Sequence, residues 1–309
     1  MRGLYSGYNF ASIDWSAADG GCVMAAKIID GSAVAREYRA ELRKRVQALN
    51  ASGVQPGLAV VIVGDDPASQ LYVRNKTRAC AETGVRTEEH RFAAAVDPAE
   101  VLRKIAALNE DRSVHGILVQ LPLPPQFDPA LVLDAVARDK DADGFHPYNL
   151  GSLLAGRPVF NPCTPYGIMR LLDYFHIEIA GSDAVVVGRS NIVGKPMALM
   201  LLNRHASVSI LTSRTRDLAR YTSQADILVA AVGKPGLITA NMVKPGATVI
   251  DVGINRIAPG RFAGDVDFAG VSERAGYITP VPGGVGPMTV AALIGNTVTA
   301  AERFSAAAS

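Results

Sequence analysis

Gly188-Arg-Ser-Asn-Ile-Val-Gly-Lys-Pro196 is the stretch that decides the fold of this 309-residue chain. It follows the apolar segment Ala184–Val187 and leads into a second apolar segment, Met197–Leu202. This order is typical of a buried strand that passes through a tight turn into a helix. Such a turn directs free backbone N–H groups and the positive end of the helix dipole toward one point, which suits a pyrophosphate. The segment therefore predicts a dinucleotide site.

The match to the glycine-rich fingerprint G-x-G-x-x-G is incomplete. Ser190 stands at the second glycine position, and Gly194 lies one residue beyond the third. A strand–glycine–helix turn of this kind is also found as a plain connection without a ligand. The assignment of a nucleotide therefore depends on the residues that follow.

The next strand, Val208–Leu211, carries information about the cofactor. NAD enzymes place a carboxylate after this strand to bind the ribose hydroxyls. Here the following residues, 212–216, include no carboxylate, whereas Arg214 and Arg216 join Arg189 near the turn. Guanidinium groups suit a 2′-phosphate, so the pattern favours NADP over NAD. The alternative is that these arginines form an ordinary solvated face.

The composition limits the class of protein. With 49% hydrophobic and 19% charged residues the chain can bury a large core, and its length predicts two domains. A net charge of +2 gives no general attraction to nucleic acid or to a membrane. No segment approaches the roughly 18 consecutive apolar residues that a membrane-spanning helix requires. Cys22, Cys80 and Cys163 are widely scattered, which indicates neither a disulfide framework nor a zinc site and fits a reducing cytoplasm.

Residues 1–23 differ from the rest of the chain. They are rich in Gly, Ser, Ala and Asp, show no helical or strand period and contain no continuous apolar stretch of the kind found in secretory signals. We expect a disordered tail or an artefact of cloning or of the assigned start site, with Met24 as the true start.

Helical and strand patterns alternate along the remainder, which predicts an α/β fold of two domains, each a mainly parallel sheet flanked by helices. The predicted domains are residues 24–160, residues 161–285, which are Rossmann-like, and a final helical segment, 286–309. A segment rich in Pro and Gly, Pro280–Pro287, is expected to be irregular. The predicted elements are helix 32–50, strand 58–63, helix 70–83, strand 86–92, helix 98–109, strands 116–119, 183–187, 208–211, 227–230 and 248–252, and helix 288–303.

Two further local predictions concern connections. The linker Asn161–Pro165 precedes a helix for which Thr164 is the expected N-cap, with Pro165 at its first position. The segment Lys140–Asn149 is expected to form a polar loop.

Tyr72 and Lys76 are four residues apart in the helix that follows the first long strand, so both project from one face. Gln120 leaves a neighbouring strand at the same carboxyl edge, where parallel sheets place functional groups. Desolvation in a cleft there would favour the neutral amine of Lys76 and allow it to act as a base. Packing and solvent exposure are the ordinary roles of such a pair. Short-chain dehydrogenases also carry Tyr-x-x-x-Lys, but their glycine-rich turn precedes the pair.

Three carboxylates alternate at the start of the polar loop: Asp139, just before it, and Asp141 and Asp143 within it. Their spacing superficially resembles a calcium loop, but the glycine and the terminal glutamate of an EF-hand are not at the required positions. A free carboxylate at a cleft suits a pair of parallel N–H donors, and no metal is predicted.

Taken together, these residues resemble the bifunctional methylenetetrahydrofolate dehydrogenase/methenyltetrahydrofolate cyclohydrolase family. The resemblance extends from about Met24 to the last helix, and residues 1–23 have no counterpart. Long motifs in the same order carry it: Ala68-Ser-Gln-Leu-Tyr-Val-Arg-Asn-Lys76, Gly116-Ile-Leu-Val-Gln-Leu-Pro-Leu-Pro124, Lys140-Asp-Ala-Asp-Gly-Phe-His-Pro-Tyr-Asn149, Gly188-Arg-Ser-Asn-Ile-Val-Gly194 and Pro280-Val-Pro-Gly-Gly-Val-Gly-Pro-Met-Thr289.

The resemblance implies a folate bound between a catalytic domain and an NADP domain, with the last helix returning to the first domain. It implies that Lys76 is the catalytic lysine, that Gln120 supports it, that Tyr72 stacks near the folate and that Asp143 holds the pterin. Further residues implied on the folate side are Leu121, Pro122, Gly283, Gly284 and Pro287. Those implied on the NADP side are Thr164, Gly188, Arg189, Ser190, Val193, Gly194, Ser213, Arg214, Gly253 and Ile254.

The implied reaction is the NADP-dependent oxidation of 5,10-methylenetetrahydrofolate, followed by hydrolysis to 10-formyltetrahydrofolate. A homodimer is also implied. The alternatives are a cyclohydrolase without hydride transfer, a two-domain NADP dehydrogenase of the shikimate dehydrogenase type, and a nucleotide-binding regulator. The arginines suited to a phosphate disfavour a cyclohydrolase without hydride transfer. The Pro- and Gly-rich motifs disfavour a dehydrogenase of the shikimate type. The combination of Lys76 with Gln120 disfavours a regulator.

Overall fold

The computed structural model of the chain describes residues 25–258 and 260–308, so the prediction for residues 1–23 lies outside the described residues. The strands are β1 Lys27–Ile28, β2 Gly57–Val63, β3 Arg86–Phe92, β4 Gly116–Val119, β5 Asp183–Val187, β6 Ser207–Leu211, β7 Ile227–Ala230, β8 Thr248–Asp251, β9 Asn255–Ala258, β10 Arg261–Ala263 and β11 Tyr277–Ile278. The helices are α1 Gly31–Ala51, α2 Pro67–Thr83, α3 Pro98–Glu110, α4 Pro129–Asp134, α5 Pro147–Leu154, α6 Cys163–Tyr174, α7 Gly194–Asn203, α8 Leu218–Thr222, α9 Phe268–Ser272 and α10 Val285–Ala308.

The first sheet is built on β2, which pairs in parallel with β3 on one side and β4 on the other. Every residue of β2 is buried, as expected for a strand covered on both faces. Alternate side chains enter different cores: Val60 packs with residues of α1 and α2, whereas Val61 packs with Ile105 of α3. The strand period thus explains why helices cover both faces of this sheet.

The second sheet is parallel, with the strand order β1-β11-β8-β7-β5-β6. The predicted α/β class with mainly parallel sheets is confirmed. The edge strand β1 comes from the beginning of the described chain and pairs Lys27 with Tyr277. The residues of β1 fall in the predicted first domain, but they belong to the second sheet. A two-residue strand is too short to show a period, which is why the sequence pattern did not indicate it.

The last helix, α10, joins the two halves. Ile294 and Val298 belong to one apolar core that also contains Leu58 of the first sheet and Val186 of the second. Near the end of α10, Glu302 pairs with Arg45 of α1 at 2.6 Å. The helix begins at Val285 rather than at the predicted Met288, so part of the segment predicted to be irregular forms its first turn. A proline is tolerated there, because amides of the first turn need no helical acceptor.

Two local predictions differ from the structure. Thr164 is not the N-cap of α6: the helix begins at Cys163, and Pro162 occupies the cap position without a side-chain hydrogen bond. The Thr164 hydroxyl instead lies 3.0 Å from that of Thr289 in α10, so a tertiary partner replaces the local one. The predicted polar loop ends earlier than expected, because α5 begins at Pro147, where the ring of His146 accepts a hydrogen bond from an amide of the first turn.

The start of α1 approaches the segment that precedes α10. The amide of Ser32 donates a hydrogen bond to the carbonyl oxygen of Gly283 at 3.0 Å. A Cβ atom on Gly31 would overlap the carbonyl oxygen of Gly284. Glycine at position 31 is therefore required for this close backbone approach.

We expect Gly31→Ala to destabilise the protein by about 1–3 kcal/mol, the usual cost of overpacking. Denaturant unfolding measures the change. The matched control is Gly151→Ala in α5, where the added methyl group would have no neighbour within 4 Å. The control should be neutral or stabilising, because alanine has the higher helix propensity. Equal stability of both variants would show that the Gly284 backbone moves aside without cost.

Candidate active site

An open cleft of about 960 Å³ lies between the two halves of the chain. Tyr72 of α2 lies on one side of it, and Asp251, at the end of β8, lies on the other. Several residues predicted for the folate or the cofactor line this cleft together, although they come from distant parts of the sequence: Tyr72, Gly253, Ile254, Gly283, Gly284 and Pro287.

Lys76 and Gln120 meet at the carboxyl end of the first sheet. The Nζ atom of Lys76 donates a hydrogen bond to Oε1 of Gln120 at 3.1 Å. The amide group of Gln120 is oriented by its own Nε2, which donates to the carbonyl oxygen of Leu121 at 2.6 Å. This second bond keeps the amide oxygen directed at the lysine. Leu121 is followed by Pro122, and the two are joined by a cis peptide bond.

The loop that carries Asp143 is organised by the buried carboxylate of Asp141. This carboxylate accepts hydrogen bonds from the amides of Gly144 at 3.0 Å, Phe145 at 3.1 Å and His146 at 2.8 Å. It also accepts from the Asn149 side chain at 2.8 Å. The acceptor oxygens of Asp141 are therefore used by donors of the protein itself. The sequence pattern gave no such role, because three of the four donors are backbone amides and carry no sequence signal.

Asp143 is different, because its carboxylate has no hydrogen-bond partner among the described residues. Burial raises the pKa of Asp143 to about 6; the positive charge of Lys76 opposes this increase, and the negative charge of Asp141 adds to it. A carboxylate without a protein donor can accept two N–H groups of a ligand.

Asn296 of α10 fixes the position of this loop. Its Nδ2 atom donates to the carbonyl oxygens of Ala142 and Asn161, each at 2.9 Å. Cys163 contributes a further bond, from Sγ to the carbonyl oxygen of Ala142 at 3.2 Å. Burial raises the pKa of the Cys163 thiol well above its usual value, so this group stays protonated and unreactive. Asn296 was not predicted, since a single polar residue in an apolar helix does not reveal its partners.

The turn after β5 has the geometry that its sequence predicts. Gly188 has a φ of 137°, and a Cβ atom there would overlap the carbonyl oxygen of Ala231. A Cβ atom on Gly194 would overlap the carbonyl oxygen of Gly188. Ser190, at the second fingerprint position, accepts hydrogen bonds through Oγ from the amides of Val193 and Gly194, at 3.2 Å and 3.3 Å. Within the described residues no hydrogen bond uses the amides of 189–192, which leaves them available to an anion.

Three arginines lie in the loops that follow the neighbouring strands β5 and β6. β5 and β6 pair with Val187 opposite Leu211, so the turn that follows each strand leaves the sheet at the same edge. Arg189, Arg214 and Arg216 are exposed and form no ion pair with any described residue. The loop after β6 is closed by the Thr215 hydroxyl, which accepts from the amide of Thr212 at 3.0 Å and leaves Ser213 and Arg214 exposed. Unpaired guanidinium groups at one edge fit a phosphate.

Two buried carboxylates shape the part of the second domain that faces the cleft. Asp251 accepts hydrogen bonds from the amides of Gly253 and Asp265, each at 2.9 Å, and burial raises its pKa to about 6. Asp265 accepts from the amides of Val232 at 2.7 Å and Lys234 at 2.8 Å. These bonds hold the segment that contains Gly253 and Ile254. Neither carboxylate was predicted from the sequence.

The described residues contain no group of three or more His, Cys, Asp or Glu residues that could hold a metal ion. In the same part of the chain, no helix has the length and apolar character needed to cross a membrane.

Comparisons with known proteins identify the family of both halves of the chain. The sequence profile of the tetrahydrofolate dehydrogenase/cyclohydrolase catalytic domain matches residues 29–143, and that of the NAD(P)-binding domain of the same enzymes matches residues 162–305. The bifunctional protein FolD of Nitrosospira multiformis is 62% identical over 283 residues, which cover 92% of this chain and 98% of the relative.

Solved structures give the same result. A bifunctional FolD methylenetetrahydrofolate dehydrogenase/cyclohydrolase from Campylobacter jejuni superimposes with a TM-score of 0.88 at 48% identity, over 90% of this chain and 99% of that one. A methylenetetrahydrofolate dehydrogenase-cyclohydrolase from Trypanosoma brucei, complexed with NADP and an inhibitor, superimposes with a TM-score of 0.87 at 42% identity, over 90% and 98% of the two chains.

Proposed function

The chain belongs to the tetrahydrofolate dehydrogenase/cyclohydrolase family, and from this membership we propose that Lys76, Gln120 and Asp143 form its catalytic centre. The reaction is the NADP-dependent oxidation of 5,10-methylenetetrahydrofolate to 5,10-methenyltetrahydrofolate, followed by hydrolysis to 10-formyltetrahydrofolate. The observation that carries the assignment of the centre is the hydrogen bond between Lys76 and Gln120, which lies near an unpaired Asp143.

The residues around the β5 turn fit NADP. When bound, the cofactor accepts the hydride that leaves the folate. We propose that the amides near Ser190, with Gly188, Val193 and Gly194 allowing close approach, hold the pyrophosphate. The 2′-phosphate is held by Arg189 and Arg214 beside Ser213. Thr164, Gly253 and Ile254 lie on the nicotinamide side.

The oxidation step needs little from ionisable groups. The hydride leaves a methylene carbon that is bonded to two nitrogen atoms, and the cation formed is stabilised by the lone pairs of both. No proton has to move. The contribution of the protein is therefore placement: Asp143 accepts two N–H bonds from the pterin, and Tyr72 supports the ring system next to it. The walls of the proposed folate site are formed by Leu121, Pro122, Gly283, Gly284 and Pro287.

Hydrolysis makes a different demand. Water adds to the methenyl carbon, a proton must leave that water, and the ring then opens to the formyl product. Lys76 accepts this proton as the base, and the bond to Gln120 Oε1 holds the amine in place. Proton transfer is thus assigned to the second reaction alone.

Three further proposals concern organisation. Residues 24–160 carry the folate chemistry, residues 161–285 bind NADP, and residues 286–309 complete the first of these domains.

The enzyme forms a homodimer, for which the edge strand β6 with its exposed Ile210 offers a surface. It acts in the cytoplasm, where the free thiols of Cys80 and Cys163 are stable.

We expect Lys76→Met to lower the cyclohydrolase rate by at least ~10²-fold, the usual scale of general-base catalysis. The dehydrogenase rate should fall less, because hydride transfer needs no base, and methenyltetrahydrofolate should accumulate. Single-turnover rates of both steps in one preparation provide the measurement. Lys104→Met, a lysine of α3 outside the cleft, controls for the loss of charge. Equal losses in both rates would make Lys76 a binding residue.

Arg214→Ala should weaken NADP binding by roughly 1.5–3 kcal/mol, the range for a hydrogen bond to a charged group. Binding of NAD, which has no 2′-phosphate, should remain unchanged. Titration of the two cofactors measures both constants, and Arg103→Ala on the outer face of α3 is the matched control. An equal effect on the two cofactors would place the arginine elsewhere than at the 2′-phosphate.

The pKa of about 6 for Asp143 predicts a pH dependence of folate binding. The ionised carboxylate accepts the pterin N–H bonds, so protonation below pH ~6 removes the acceptor. The kcat/KM for the folate should fall by up to about tenfold per pH unit below that value, since this ratio reports the free enzyme. Asp251 has a similar pKa. The decrease of kcat/KM at low pH should therefore be absent in Asp143→Asn and present in Asp251→Asn. The reverse result would assign the pH dependence to Asp251.

A further inference from the structure

Three consecutive backbone amides in the loop that follows β7 point to one carboxylate. The amides of Val232, Gly233 and Lys234 donate to Asp265 at 2.7, 3.0 and 2.8 Å. A run of successive N–H groups directed at one point forms a concave anion site, or nest, of the kind that binds phosphate groups. We call these three amides the β7 nest. In this chain a side chain of the protein fills it.

The carboxylate of Asp265 has its acceptor capacity used in full. Its Oδ2 atom accepts from the amides of Val232 and Gly233. Its Oδ1 atom accepts from the amide of Lys234 and, at 2.8 Å, from Nδ2 of Asn255. Four donors match the about four lone-pair sites of a carboxylate. Because Asp265 is fully buried, these donors replace the water that would otherwise solvate its charge.

The contacts of Asp265 lie at the edge of the second sheet to which we assign the cofactor. The strand β7 lies between β5 and β8, with Ala230 opposite Val187 on one side and opposite Asp251 on the other. In open parallel sheets a dinucleotide crosses the carboxyl ends of neighbouring strands. Asp265 connects the loop after β7 to Asn255, which directly follows Ile254 on the proposed nicotinamide side.

The loop after β7 also supports the turn after β5. The amide of Ala231 donates to the carbonyl oxygen of Val187 at 2.8 Å. The carbonyl oxygen of Ala231 lies so close to Gly188 that a Cβ atom on this glycine would overlap it. Ala231 directly precedes the β7 nest. A displacement of the nest would therefore be transmitted to the proposed pyrophosphate site.

We propose that Asp265 is a positioning residue for NADP, which fills the β7 nest, directs the pyrophosphate to the amides after β5 and fixes the loop that supports them. This inference rests on the proposed function, because it places the pyrophosphate at the turn after β5. Asp265 is fully buried and acts through the loops it holds. Its effect should fall on the reaction that uses NADP and spare the hydrolysis, which uses no cofactor.

The variant Asp265→Asn tests the proposal, because it keeps the size of the side chain and replaces one acceptor oxygen by a donor. Whichever oxygen is replaced, two N–H groups lose their acceptor. The affinity for NADP should fall by about tenfold or more, the effect of losing one hydrogen bond to a charged group. The affinity for NAD should fall by the same factor, because both cofactors contain the pyrophosphate. Calorimetric titration measures both constants.

The cyclohydrolase rate of Asp265→Asn, measured by absorbance with methenyltetrahydrofolate as the substrate, should equal that of the native enzyme. The matched control is Asp183→Asn, which makes the same change at the exposed first residue of β5 and should leave the rate and both affinities unchanged. Unchanged cofactor affinities in Asp265→Asn, a loss confined to NADP, or an equal loss of hydrolysis and cofactor binding would overturn the proposal.

A second variant, Asn255→Ala, tests the same contact with a smaller change. It removes one of the four donors to Asp265 and should weaken both cofactors by about threefold. In the double variant with Asp265→Asn the two losses should not multiply, because both changes break one network. If Asp265→Asn does not fold, unchanged affinities in Asn255→Ala would overturn the proposal. If the native protein bound NADP but oxidised no folate, the proposed catalytic centre would be wrong, and the titrations would still decide the role of Asp265.

Discussion

The geometry of the site depends on one kind of interaction: a buried carboxylate that accepts several backbone amides of an irregular loop. Amides outside helices and sheets need acceptors when they are buried, because an unpaired donor is costly. Asp141 satisfies the loop before α5, and Asp251 and Asp265 satisfy the loops that follow β8 and β7. The proposed mechanism gives these residues no chemical step. They hold the segments to which we assign the folate and the cofactor, whereas the carboxylate of Asp143 has no hydrogen-bond partner among the described residues.

Much of the fold follows from patterns in the sequence, because its long elements have strong periods. The strand β3 and the helix α2 with its terminal Gly84 lie where alternation, periodicity and turn residues indicate. The hairpin of β9 and β10 and the two-residue strand β1 were not predicted, because such short segments show no period of their own. Their structure comes from neighbours that are distant in sequence.

The site shows a similar division. The glycine positions of the β5 turn and the arginines around it could be interpreted from local chemistry, since close approach and phosphate binding require those residue types. Lys76, Gln120 and Asp143 were assigned through resemblance, and the structure brings the first two within hydrogen-bond distance. Asn296, in contrast, is a single amide in an apolar helix. Its role depends on three-dimensional contacts with Ala142 and Asn161 that no local pattern encodes.

The chain is also interleaved at its ends: its first described strand completes the second sheet, and its last helix covers the first. Proteins of several domains commonly fold domain by domain from the N-terminus during synthesis. Here β1 cannot pair until β11 has been synthesised, and the Asp143 loop cannot form its contacts with Asn296 until α10 has been synthesised. Neither half can therefore complete its contacts during translation of the earlier residues. A chain that still lacks α10 therefore also lacks the Asn296 contacts that hold the Asp143 loop.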